Sequence, residues 1–284
     1  MSDLVRLLEN LRVERLDKYL FAGKSPASPR RVFGGQVLAQ ALNAAIRTVD
    51  EADRQAHSMH AYFLRPGDPQ KQIIYEVDPI RDGRSFTTRR VVAKQEGRAI
   101  FNTSISFHVS EPGFSHQFDA PEAPDPESLE SDKDFWARMA KAYPDRFEPL
   151  NSWAIDRRHV YRRDPIDPGS DLREPRHQVW MRALGELEND PILHQTLLAY
   201  MSDMTLLGVS LNPHSITTRS DELMFASLDH ALWFHQPFAA DRWLLYDQDS
   251  PLALSARGFM RGSFYSDDGK LVASVAQEAL VRPL

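Results

Sequence analysis

The sequence predicts an α+β fold in which two tandem, curved antiparallel sheets each wrap around one central helix. Three observations predict it. Each half of the chain carries one helical segment almost free of charge, and strand-like runs broken by Gly, Pro and Asp accompany each of them. Residues of the two halves also superpose at a nearly constant offset.

In chain order, Met1-Ser2-Asp3-Leu4-Val5-Arg6 opens a short amphipathic helix and lacks the basic and continuously apolar regions of a signal peptide, so export is disfavoured. Gly34 to Val49 is the first buried helix, with Val37, Leu38, Ala41, Leu42, Ala45, Ile46 and Val49 at helical spacing. Strands follow near His57 to Leu64, Gln72 to Asp78, Ser85 to Lys94 and Ala99 to Val109, in an expected meander with turns at Pro66-Gly67-Asp68, Arg81-Asp82-Gly83 and Glu96-Gly97. Pro112, Pro121, Pro124, Pro126, Pro144 and Pro149 then crowd an acidic stretch that reads as a connector, a strap on the surface with one short helix around Phe135 to Ala140. The expected units are 1–110, the connector 111–149, and 150–284, the last carrying most of the candidate catalytic residues.

The second half repeats the order. Strands are expected near Trp153 to Arg162 and Gln178 to Leu184, then a helix from Pro191 to about Leu207, with Asp190 as cap, Pro191 at N1 and Gly208 as terminator. Leu223 to Phe234, Trp243 to Tyr246, Ala256 to Tyr265 and Leu271 to Val281 complete the sheet. An offset of 171 carries Phe63 to Phe234, Pro66 to Pro237, Ile74-Tyr75 to Leu245-Tyr246 and Arg90 to Arg261; an offset of 172 carries Gly97 to Gly269 and Ile100 to Val272. A buried helix wrapped by a curved antiparallel sheet is the hot-dog arrangement, and two in one chain would pair strand edges or stack helices, giving a double hot dog.

Composition narrows the function. The 284 residues are 42% hydrophobic and 26% charged, with net charge −6, so a sizeable core is available and no basic field exists to hold nucleic acid. Absence of cysteine excludes disulfides, thiolate metal sites and a cysteine nucleophile. No apolar stretch reaches the roughly 18 residues of a spanning helix, and Arg282-Pro283-Leu284 is not a peroxisomal address, which leaves a cytoplasmic protein as the default.

Asp203 interrupts the apolar run from Leu197 to Leu207 near the end of the second buried helix. A buried carboxylate at the negative end of a helix dipole suits a general base; a solvent-facing Asp beside Thr196 and Ala199 is the other reading. Strand alternation puts Gln277 in a row with Leu271, Ala273, Val275, Ala279 and Val281, so its amide either ties down interior backbone or reaches a polar cavity. Ser227 lies on the strand that follows the second helix but has no Gly-x-Ser-x-Gly elbow around it, which disfavours an acyl-serine. His57 and His60, like His230 and His235, point to opposite faces of their strands, so neither pair suits a shared metal, and no metal or cofactor is expected. Gly34-Gly35-Gln36 offers free N–H groups at a helix start, and Asn212-Pro213-His214 reads as a loop.

Arg31-Val32-Phe33-Gly34-Gly35-Gln36-Val37, His57 to Asp68 and Arg81 to Phe86, followed by Pro175 to Trp180, Asp229 to His235, Trp243 to Tyr246 and Ser255 to Phe259, resemble in this order the bacterial type II acyl-CoA thioesterases and their peroxisomal relatives. The resemblance implies a double hot-dog enzyme that hydrolyses medium- to long-chain acyl-CoA to fatty acid and CoA, with an Asp, a Thr or Ser, and a Gln holding the attacking water. Those roles fall on Asp203, Ser227 and Gln277, with Ser227 where the bacterial members carry Thr. His57 matches a histidine of the family and is taken as a secondary site residue. At an offset of 159, which aligns Gln36 with Gln195, the first-half counterpart of Asp203 is Ala44, so one active site per chain is expected. A homodimer or homotetramer is expected as well. A hot-dog hydratase or dehydratase and a non-catalytic acyl-CoA-binding protein are the rival readings.

Overall fold

A computed structural model describes residues 1–26, 31–50, 53–148 and 153–284. The connector's end and the boundary at 149/150 lie outside the described residues.

The first half begins with α1 (Asp3–Leu11), whose N-terminus Ser2 caps by accepting the Val5 N–H, and two short strands, β1 (Glu14–Asp17) and β2 (Leu20–Gly23), which the sequence reading missed. Then come α2 (Gly34–Ile46), β3 (Arg54–Phe63), β4 (Ile73–Asp82), β5 (Phe86–Gln95) and β6 (Arg98–Val109). Eleven of the thirteen α2 residues are buried, as a helix without charge requires. The connector contributes α3 (Asp132–Ala142). The second half holds β7 (Ile155–His159), β8 (Arg176–Ala183), α4 (Pro191–Ser202), α5 (Leu206–Val209), β9 (Leu223–Ser227), β10 (Asp229–Phe234), β11 (Leu244–Leu254), β12 (Arg257–Ser266) and β13 (Leu271–Pro283).

Within each half the topology repeats. The sheet order is β2-β4-β5-β6-β3 in the first and β8-β11-β12-β13-β10 in the second. This corrects the expected meander: β4, β5 and β6 are sequential neighbours, but β3 crosses over to pair with β6 instead of β4. Helix α2 packs against β3, β4, β5 and β6 of this sheet. The halves join through antiparallel pairing of β3 with β10, and α2 packs against α4, so edge pairing and helix stacking both occur in this double hot dog. His60 pairs with Ala231, and Met59 and Ala61 pair with Leu232 and His230; the 171-residue offset thus places a local two-fold axis at His60/Ala231. One hydrophobic core runs through both halves.

Three further expectations change. The helix predicted from Pro191 to Leu207 stops at Ser202 with Asp203 as C-cap, because Thr205 takes a left-handed conformation (φ +66), and Gly208 falls inside α5. The strand expected from Leu223 to Phe234 breaks at Leu228, whose N–H goes to the Glu278 carbonyl while its own carbonyl accepts the Phe63 N–H. The strap is anchored more deeply than a surface band: α3 packs Phe135 and Met139 with Phe147 and sends Asp132 into the interior, where Arg157, Arg162 and His159 meet its carboxylate.

Candidate functional site

Helix α4 runs into the start of α2, and the site forms where these ends meet. The chain leaves α4 at Asp203 and turns at Thr205, whose hydroxyl accepts the Gln248 amide at 2.7 Å. Asp203 Oδ2 accepts the Gly35 N–H at 2.9 Å, at the first turn of α2. Glycine permits the approach: a Cβ at Gly34 would stand 2.6 Å from Asp203 Oδ2, and one at Gly35 would overlap the Tyr200 carbonyl. Of the free N–H groups expected at Gly34-Gly35-Gln36, that of Gly35 receives a carboxylate from within the chain, while the Gln36 N–H donates to the Phe33 carbonyl. The negative end of α4 and the positive end of α2 act on the same carboxylate with opposite sign, so the dipole argument from α4 alone is incomplete.

The break at Leu228 leaves Ser227 at the end of β9, facing Asp203. Its hydroxyl donates to Asp203 Oδ1 at 3.3 Å and accepts from Gln277 Nε2 at 2.9 Å. Gln277 projects from β13 with no exposed surface, on the inward row that alternation assigns to it. Asp203, Ser227 and Gln277, from three separate elements, thus form one connected group. Burial pushes the Asp203 carboxyl up to about 6, against the Gly35 N–H, the Gln277 amide, the Ser227 hydroxyl and the Arg31 guanidinium, which all favour the charged form.

Asp203 and Ser227 line a cavity of about 1010 Å³. Phe33, Phe63, Ile100, Met204, Leu207 and Leu211 give it apolar walls, and Arg31, Arg65, Arg157, Arg162 and Arg219 bring positive charge in a chain that is acidic overall.

His57 stands apart from this group. Its Nε2 lies 2.8 Å from Ser106 Oγ, and its ring meets those of Phe86 and His108 edge-on; burial, then His108 and His60, lower its pKa. The Asn212 side chain donates to the Arg176 carbonyl, and His214 supplies a carbonyl to Arg163, as a structural loop would. At the C-cap of α2, where α4 has Asp203, the first half has Arg47; like Ala44, it is not a carboxylate.

One buried neighbour escaped the sequence reading. His230 Nδ1 lies 2.6 Å from Gln277 Oε1, and its Nε2 lies 2.9 Å from Ser202 Oγ. The signal was present: alternation along β10 puts His230 on the inward face with Leu232 and Phe234, next to the inward row of β13.

Sequence models described as acyl-CoA thioesterase and acyl-CoA thioesterase N-terminal domain match residues 151–280 and 23–108. "Acyl-CoA thioesterase 2" of Haemophilus influenzae is 38% identical over 99% of this chain and 99% of its own length. "Acyl-coenzyme A thioesterase 8" of Homo sapiens is 39% identical over 96% of this chain and 87% of the human protein. Among solved structures, an acyl-CoA thioesterase II of Mycobacterium marinum superposes with a TM-score of 0.80 at 40% identity, covering 98% of each chain.

Proposed function

The chain belongs to the acyl-CoA thioesterase family and is a thioester hydrolase acting on acyl-CoA, and from that premise we propose that a water molecule held by Asp203, Ser227 and Gln277 performs the hydrolysis. The observation that carries this reading is the Asp203 carboxylate, half-buried on the cavity wall with Gly35 and Ser227 on its two oxygens. As the water oxygen bonds to the thioester carbon, its proton passes to Asp203. The carbon–sulfur bond then breaks, and the protonated carboxyl returns the proton to the departing thiolate, giving free fatty acid and CoA. Ser227 and Gln277 orient the water and spare the reaction the entropy of bringing it in. Ser227 lacks the strained Gly-x-Ser-x-Gly elbow of an acyl-serine, and we assign it to holding the water. His57 is retained as a secondary site residue acting from outside the connected group.

The cavity supports a medium- to long-chain acyl group, since its apolar walls exclude water from a hydrocarbon tail while Arg31 and Arg65 suit the phosphates of CoA, Arg157 and Arg162 being paired with Asp132. We assign most of the chemistry to the unit 150–284, joined to 1–110 by the connector 111–149, with no cofactor. No helix among the described residues is long and apolar enough to cross a membrane, and we place the enzyme in the cytoplasm as a homodimer or homotetramer.

The test is thiol release from short, medium and long acyl-CoA by wild type and Asp203→Asn, alongside absorbance of enoyl substrates. Wild-type release that rises with chain length and is lost in the variant is the expected result. Equal release by both proteins overturns the role of Asp203, and an enoyl absorbance change without thiol release points to the hydratase chemistry.

A further inference from the structure

We infer that His230 and Ser202 are positioning residues that fix the direction of the Gln277 amide, and through it the hydrogen-bond polarity of the Ser227–Asp203 pair. The inference rests on the site reading above and extends it to two side chains that line no part of the cavity. Ser202, His230 and Gln277 have essentially no exposed surface. They continue the chain of contacts inward: Gln277 Oε1 to His230 Nδ1 at 2.6 Å, and His230 Nε2 to Ser202 Oγ at 2.9 Å.

The two ends of a glutamine amide have nearly the same shape but opposite hydrogen-bonding sense, so shape alone does not decide how the group sits. Here charge and connectivity decide it. An ionised Asp203 only accepts, so the Ser227 hydroxyl donates to it and must itself accept from the Gln277 N–H. That turns Oε1 towards His230, which must meet it with Nδ1–H. Burial holds the imidazole neutral, lowering its pKa to about 4, so it has a single N–H to give. Nε2 is then an acceptor towards the Ser202 hydroxyl, whose one hydrogen is shared between Nε2 and the Ala199 carbonyl, each at 2.9 Å. Every donor in the series points towards the carboxylate. The series also closes on itself, because Ser202 precedes Asp203 in the chain and its carbonyl is held by the Tyr246 hydroxyl at 2.8 Å. A glutamine turned the other way would present its carbonyl to Ser227 and draw the hydroxyl hydrogen off Asp203.

The test is a double-mutant cycle on the full-length enzyme, reading kcat and KM for acyl-CoA hydrolysis, with folding followed by circular dichroism and thermal unfolding. His230→Leu removes the donor; His230→Asn keeps an N–H near the position of Nδ1, whereas His230→Gln offers one nearer Nε2. We expect Gln277→Ala and His230→Leu each to lower kcat on the order of 10²-fold, as misplacement of a reacting group does, with KM little changed. The double variant should be no slower than Gln277→Ala alone, and His230→Asn, but not His230→Gln, should recover most of the rate. Independent losses that multiply, or wild-type kcat in folded His230→Leu, overturn the relay while leaving the site reading intact. Wild-type kcat in Gln277→Ala overturns both. Nitrogen NMR of the wild-type enzyme tests the same point without substitution: a His230 ring protonated at Nδ1 supports the inference, and one protonated at Nε2 overturns it.

Discussion

Asp203 carries a conflict between stability and chemistry. Its folded pKa of about 6 lies above the unfolded value near 3.9, so the native state holds the extra proton between about pH 4 and 6, and stability falls as pH rises through that window. Asp203→Asn removes the charge that burial penalises. It also turns an amide NH2 towards the Gly35 N–H or the Ser227 hydroxyl, so we expect thermal stability at pH 7 to change by no more than about 1–2 kcal/mol while turnover falls at least about 10²-fold, checked by calorimetry and thiol release on one preparation. For the wild-type enzyme, kcat/KM should fall with a limb near pH 6 as the base is protonated. A pH–rate profile flat from 4 to 8 would contradict the assignment.

Helices α2 and α4 meet closely because Gly35 has no side chain where the Tyr200 carbonyl passes. Gly35→Ala should therefore displace α4 from α2, costing about 1–3 kcal/mol through overpacking and lowering kcat through the lost Gly35–Asp203 bond. Denaturant unfolding together with thiol release measures both effects. On the strap, the Asp132 carboxylate faces Arg157 at 2.6 Å, with Arg162 and His159 beside it. Burial pushes its pKa up, but the three cationic or donor neighbours win and hold it below the usual carboxylate range. Its folded pKa is depressed, so its contribution is present above the unfolded value near 4 and lost as pH falls. Asp132→Ala strands two arginines inside the protein and should cost about 3–5 kcal/mol by denaturant unfolding. In the sheets, Arg90–Asp78 and Arg261–Asp249 are the same cross-strand ion pair at corresponding positions of the two halves.

As a whole, the described residues join the two halves into a 13-stranded sheet, with β3–β10 at the seam. At the far end, the β11–β12 hairpin leaves Leu252 and Leu254 56% and 66% exposed. Apolar side chains so placed favour the assembly proposed above. We expect Leu252→Asp with Leu254→Asp to shift the mass measured by light scattering towards the single chain without unfolding it. An unchanged mass would place the contact between copies elsewhere.

The amino-acid order by itself determined the kind and order of the long elements, because helical and strand periodicities are local and each apolar face must be covered, but it left out the short β1 and β2 and ran β9 into β10 and α4 into α5. It also determined the repeat: Tyr75 and Tyr246, both buried, occupy corresponding positions on β4 and β11, and Gly97 and Gly269 take the same positive φ in matching hairpins. Gln277 was legible as a polar residue on an apolar row; His230 obeyed the same rule and was passed over as half of a failed metal pair. Only the tertiary structure decided that β3 lies beside β6, that α4 ends at Asp203 and that Gly35 meets the carboxylate. Those outcomes depend on how curved sheets and helix ends pack across long sequence separations, where one side chain's partner is set by the position of an entire element and no local pattern records it.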